Sequence, residues 1–105
     1  MIQPGDMFSI PFPYKDNIFE SKCRPVVVLR DEKNGLFLIA PVTGTNLTGK
    51  REGLWVSKDS DEGIKMRLTK DSFIVVDNTI KWPSFGLLDY WGHCPCVNEL
   101  LAKLK

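Results

Sequence analysis

Arg24 is the side chain best placed to do chemistry, because it stands immediately before Pro25-Val26-Val27-Val28-Leu29, a run apolar enough to be a buried strand. A guanidinium at the mouth of a rigid strand is a fixed planar fork. It suits gripping an anion or forming a structural ion pair, for which Asp6 and Glu20 are the candidate partners. Thr43, just past the apolar run Leu36 to Val42, offers a hydroxyl that can donate to a bound oxygen or cap a turn. Arginine is effectively never deprotonated in proteins, so a proton acceptor working with Arg24 must come from elsewhere. Asp77 and Glu20 are the candidates, and Asp77 can equally bond nearby backbone.

His93-Cys94-Pro95-Cys96 is the other concentration of reactive groups. Zinc sites generally join a Cys-x2-4-Cys pair to a second pair elsewhere, and this chain has a single histidine and three cysteines. The ligands are too few and wrongly spaced, so no metal is expected. Pro95 suits the first position of a helix, with Cys94 as its cap. An odd cysteine count also argues against a disulfide framework and fits a reducing compartment.

The elements that must position these residues are short. Met7 to Pro11 reads as a strand bounded by Pro-Gly and Pro-x-Pro. Tyr14 to Lys22 is a polar surface loop around Ile18 and Phe19, longer than a structural turn requires. Pro25 to Arg30 and Leu36 to Val42 form a hairpin, with Asp31 to Gly35 as the turn and Asn-Gly at its tip. Pro41 to Gly49 ends in hydroxyls and glycines and must be loop. Gly53 to Val56 is a further short strand, and Ser57 a candidate cap for a brief helical turn. Ser72 to Trp82 shows the clearest alternation: Ile74, Val76, Ile80 and Trp82 face a core, while Phe73, Val75, Asp77, Thr79 and Lys81 face a surface or groove. Leu87 to Tyr90 is a candidate last strand. Cys94 or Pro95 to Leu104 closes the chain as a helix with Val97, Leu100, Leu101 and Leu104 at helical spacing.

Six or so strands and one terminal helix predict a mostly β fold, a small barrel-like sheet with a helix packed on it. The 105 residues suffice for one domain. A net charge of +1, spread evenly, does not announce a nucleic-acid binder, so only a local basic patch could supply one. Lys50-Arg51 is such a pair, with a solvated loop as the plainer reading. Trp55, Trp82 and Trp91 read as core or interface aromatics rather than base-stacking platforms. The longest apolar runs fall far below the roughly 20 residues that span a bilayer, and the N-terminus shows no secretory pattern. A cytoplasmic protein with no membrane association is expected.

Taken in order, the pieces resemble the MazF/PemK family of toxins from type II toxin–antitoxin modules. Gly5-Asp6-Met7-Phe8-Ser9-Ile10-Pro11-Phe12-Pro13-Tyr14 is similar to that family's opening strand, above all in its PemK-like branch. Cys23-Arg24-Pro25-Val26-Val27-Val28-Leu29 resembles its Arg-Pro strand, and Ala40-Pro41-Val42-Thr43 the strand end that delivers a threonine or serine. Phe73 to Asn78 and Gly92 to Leu104 also line up, so the resemblance covers nearly the whole chain.

The resemblance implies an SH3-like barrel of the CcdB/MazF/PemK type and a homodimer. It also implies a metal-independent endoribonuclease without cofactor that cuts single-stranded RNA and arrests growth. A cognate antitoxin peptide would lie over the substrate groove, and any DNA contact would be indirect, through that antitoxin. Arg24 and Thr43 match the family's two principal active-site positions, and Asp77 an acidic position of some members. Some relatives carry a histidine in the first loop, where this chain has none and Glu20 is its candidate base. Lys15, Lys22, Thr45, Leu54, Phe73 and Val75 are the expected RNA lining, read by stacking and loop hydrogen bonds. A non-catalytic barrel that binds a protein target, as the fold-related CcdB toxins bind gyrase, is the competing class. Its tryptophan-glycine lies near the very C-terminus, whereas Trp91-Gly92 here precedes a helix.

Overall fold

The computed structural model describes residues 2–11 and 23–104. These form seven strands: β1 (Asp6–Ile10), β2 (Arg24–Lys33), β3 (Leu36–Thr43), β4 (Gly53–Val56), β5 (Ser72–Val75), β6 (Ile80–Pro83) and β7 (Asp89–His93). Two short helices, α1 (Asp61–Lys65) and α2 (Val97–Lys103), and a 3-10 turn at Ser84–Gly86 complete them.

The β2–β3 hairpin is the centre of the sheet, and its turn is tighter than expected. Asn34 and Gly35 have φ of 57° and 77°, the paired left-handed conformation of a type I′ turn, which matches the twist of the flanking strands. Asp31 to Lys33 belong to β2 rather than to the turn. Pairing runs from Val26↔Pro41 to Lys33↔Leu36 with two irregularities on the way. The Asp31 carboxylate accepts the Lys33 N–H at 2.7 Å at the second of these.

The far edge of β3 is shared. Its first half, Leu36 to Ile39, pairs with β6, and its end, Val42 and Thr43, pairs with β5. The stretch expected as one strand from Ser72 to Trp82 is therefore two strands joined through a bend. The residue before β4 holds that bend: the Val76 N–H donates to the Glu52 carbonyl at 3.0 Å, and the Asp77 carboxylate accepts the Glu52 N–H at 3.2 Å. Every residue of β5 is buried, so Phe73 and Val75 do not form the exposed face that alternation predicts.

The strand order is β4-β5-β3-β2-β1-β7, with β6 beside β3 off this path, and every pairing is antiparallel. The two end strands, β4 and β7, are not paired with each other. The fold is thus mostly β with a small C-terminal helix, and the sheet is open rather than a closed barrel.

Each face of the sheet carries its own apolar cluster. On β2, Val27 and Leu29 join Met7, Ala40, Val42, Ile74 and Met66, while Val26 and Val28 join Phe8, Ile10, Ile39 and Leu87. A continuous β-branched run buried on both faces is what that sequence predicts. Helix α2 covers the first cluster with Val97 and Leu100 buried and Leu101 and Leu104 packed beside them, the expected stripe. It begins at Val97 with Cys96 in the cap position, two or three residues later than the proline cue suggests.

Ser60, not Ser57, caps α1, accepting the Gly63 N–H at 3.0 Å. Ser57 supports the cap, because its carbonyl accepts the Ser60 hydroxyl at 2.6 Å. Strand β7 starts at Asp89, leaving Leu87 to plug the second cluster from outside the sheet ladder. No helix among the described residues is long and apolar enough to cross a membrane.

Candidate functional site

Arg24 is the first residue of β2, where Ile10 of β1 pairs with it, and it is exposed. Continuing the β2–β3 register beyond Val26↔Pro41 sets Arg24 opposite Thr43. Thr43 pairs with Phe73 of β5, and Phe73 with Trp55 of β4. Residues directly opposite in an antiparallel sheet point to the same face. Arg24, Thr43, Phe73 and Trp55 therefore form one row across four strands.

The chemistry available at the Arg24 end is donor chemistry. The Thr43 oxygen accepts the Thr45 N–H at 3.3 Å, which occupies a lone pair and leaves the hydroxyl hydrogen able to donate. Thr45 itself is exposed and acts on Thr43 through its backbone. Asp6, one candidate partner for Arg24, is engaged elsewhere: its carboxylate faces His93 Nδ1 at 3.1 Å and accepts the Gln3 N–H at 2.9 Å. The lone histidine thus stands against a carboxylate at the β1–β7 pair. Glu20, Lys15 and Lys22 lie outside the described residues.

Asp77 forms a second group. Continuing the β4–β5 register from Gly53↔Val75 puts Arg51 opposite Asp77, and the two meet there, with Arg51 Nε 3.0 Å from each carboxylate oxygen. The Arg51 hydrogen bond holds the Asp77 carboxyl below the usual carboxylate range, against the opposing effect of burial. Asp77 in turn holds the Arg51 guanidinium more firmly protonated. A carboxylate occupied by a guanidinium and a backbone N–H is a weak proton acceptor, so Asp77 here serves to aim Arg51. At most about 13 Å of strand separates Asp77 from the Phe73 row, four residues at roughly 3.3 Å each.

Strands β4 and β5 open on a concavity of about 950 Å³, whose lining includes Lys50, Arg51, Trp55, Phe73, Asp77 and Lys103. Trp55 is 37% exposed, enough ring surface to stack on a planar group. Gly53 makes room beside it, because a Cβ there would collide with the Ile74 carbonyl and come within 2.6 Å of the Phe73 ring. Leu54 also borders the concavity, but it alternates to the other face and packs against the first cluster. Val75 is buried and does not line it.

Among the expected residues, then, Arg24 and Thr43 share a row, Phe73 continues it as a buried ring, and Asp77 belongs with Arg51. Trp55 and Lys103 are not legible as site residues in the sequence. Trp55 reads there as a core or interface aromatic, and Lys103 reaches the concavity only because α2 folds back, where its Nζ lies 3.8 Å from Glu52. Among the described residues no group of three or more histidine, cysteine, aspartate or glutamate side chains could hold a metal ion.

No protein-family model matches this chain, and neither does any curated protein. What fold and site define is a class: an open antiparallel sheet with a C-terminal helix, carrying an arginine and a hydroxyl on one face and, beside them, a concavity lined by aromatic rings and by cations that are in part paired with Glu52 and Asp77.

Proposed function

We propose that the chain is a metal-independent endoribonuclease of the MazF/PemK type, a toxin that cleaves single-stranded RNA through attack of its own 2'-hydroxyl. The observation that carries this reading is the β2–β3 register, which, continued two residues past Val26↔Pro41, sets Arg24 opposite Thr43 on one face of the sheet. Transesterification at phosphorus places charge on the non-bridging oxygens, and fixed donors stabilise that charge where it develops. Arg24 supplies a planar fork for two of those oxygens and Thr43 a short hydroxyl beside it. Removing one such donor typically costs about 2.7 to 4 kcal/mol of transition-state stabilisation.

The concavity extends the same face along the RNA. Arg51, aimed by Asp77, and Lys50 would meet a flanking phosphate, and Trp55 would stack on a base. With Asp77 committed to Arg51, Glu20 becomes the preferred proton acceptor. In this reading the open sheet is an SH3-like barrel left incompletely closed between β4 and β7. The protein would act in the cytoplasm as a homodimer and be silenced by an antitoxin peptide over the Arg24 face. Phe85 and Leu88, each 80% exposed, offer apolar surface that a second copy would cover.

The test is incubation of purified protein with a long single-stranded RNA in EDTA, mapping of the cut ends, and a parallel Arg24→Ala reaction. Discrete cuts ending in a 2',3'-cyclic phosphate, slowed about 100-fold or more in the variant, are expected. Intact RNA, or a variant as active as the parent, overturns the proposal and favours a non-catalytic, protein-binding role.

A further inference from the structure

The geometry of the β7–α2 junction points to a site that the ribonuclease reading does not use: we propose that Cys94 and Cys96 form a redox-active dithiol, with Cys96 as the attacking sulfur and Cys94 as its resolving partner. Both cysteines are free, and their sulfurs lie 3.0 Å apart. Two residues apart on a turn, they can be joined without moving a strand.

The two sulfurs are not equivalent. Cys94 is fully buried and belongs to the first apolar cluster, whereas Cys96, 7% exposed, borders a concavity of about 210 Å³ lined also by Ser57, Ser60, Glu62 and Glu99. An oxidant small enough to enter that space reaches Cys96 first. The neighbouring Cys94 sulfur lowers the tendency of Cys96 to hold its proton, while burial and the Glu99 and Glu62 carboxylates work the other way. The same contact, with burial, pushes the Cys94 thiol up. Nucleophile and resolver are assigned by access, because Cys96 borders the concavity and Cys94 does not.

The reactant is a hydroperoxide, hydrogen peroxide being the simplest. The Cys96 thiolate attacks one peroxide oxygen; the O–O bond breaks, and the departing hydroxide takes a proton to become water. Cys96 is then a sulfenic acid. The Cys94 sulfur, giving up its proton, attacks the Cys96 sulfur; the S–S bond forms and the S–O bond breaks, releasing a second water. Two thiols lose two electrons in all, and one peroxide gains them. The disulfide would clamp the junction that carries the Cys94 N–H to the Gly5 carbonyl at 2.7 Å, and so tie the start of α2 to the start of β1.

Cys23 is exposed and would react on its own, so the test uses Cys23→Ser protein. After a stoichiometric dose of hydrogen peroxide, intact mass should fall by two hydrogens. Native alkylation should find no thiol, the peptide holding both cysteines should be recovered cross-linked, and dithiothreitol should restore both. In the same background, Cys94→Ser should halt at a sulfenic acid on Cys96 that dimedone traps. Cys96→Ser should consume peroxide at least about tenfold more slowly. Unchanged mass in the Cys23→Ser protein, with both thiols still alkylated on denaturation, overturns the proposal, and so does direct passage of Cys96 to the sulfinic acid. The mass measurement needs no substitution at either sulfur, and it is independent of RNA cleavage.

Discussion

Asp77 and Arg51 are separated by 26 positions, and only the β4–β5 register brings them together, with the Glu52 N–H as a third participant. The pair is partly solvated, at 37% and 45% side-chain exposure, so screening limits what it contributes. Its sign is nonetheless definite. A carboxyl held below its ordinary range stabilises the fold above the unfolded-state value, and that stability disappears as pH falls through the lowered value. Asp77→Asn should therefore lower the urea midpoint at neutral pH by about 0.3 M or less, and less still at high salt. The gap between parent and variant should narrow as pH falls below roughly 3.9, the ordinary aspartate value. Urea titrations of both proteins across that range check this; a gap that widens toward acid contradicts the assignment.

At the scale of elements, two glycines separate backbone conformation from close approach. Gly35 has φ of 77°, and a Cβ added there would meet nothing within 4 Å, so Gly35→Ala bears only the left-handed backbone cost of about 1–2 kcal/mol. Gly53 sits in β4 where a Cβ meets the Ile74 carbonyl and the Phe73 ring, so Gly53→Ala must push β4 off β5 and should cost more, about 2–3 kcal/mol. Denaturant melts of the two variants should rank in that order. The Asn34-Gly35 turn is legible in the sequence because its chemistry is local. The bend at Asp77 is legible only as an interruption: Asn78 places a polar residue in the apolar phase of the Ser72–Trp82 alternation, and the regular alternation on either side of it hides the break. The start of α2 is displaced from its sequence cue for a related reason: Pro95 signals a helix, yet Cys94 is taken up by the Gly5 carbonyl and the helix waits until Val97. Arg24 and Thr43 are legible as ends of strongly apolar strands, whereas Arg51 gives no sign of its partner because that pairing exists only in the folded register.

At the scale of the molecule, the two sheet faces are closed differently. The second cluster is closed largely by residues in or next to strands, such as Leu87, Phe37 and Trp82. The first depends on α2, a helix of seven residues, too short to be stable by itself and hence held by what it buries. Leu100 is its fully buried residue, in a cluster with Met7, Val27, Leu29 and Ile74. Leu100→Ala should cost about 2–5 kcal/mol, because the sheet beneath cannot collapse to fill the space. Ile64, 64% exposed on α1, removes no such contact, so Ile64→Ala should stay within about 0.5 kcal/mol. Loss of α2 packing should also loosen the junction that holds Cys94 and the side of the concavity that Lys103 forms, while leaving the Arg24–Thr43 row on the hairpin. Hydrogen exchange on the Leu100→Ala protein checks this: protection should fall first in α2 and β4 and persist in β2 and β3. Uniform loss across the hairpin would mean that the two faces form a single cooperative core.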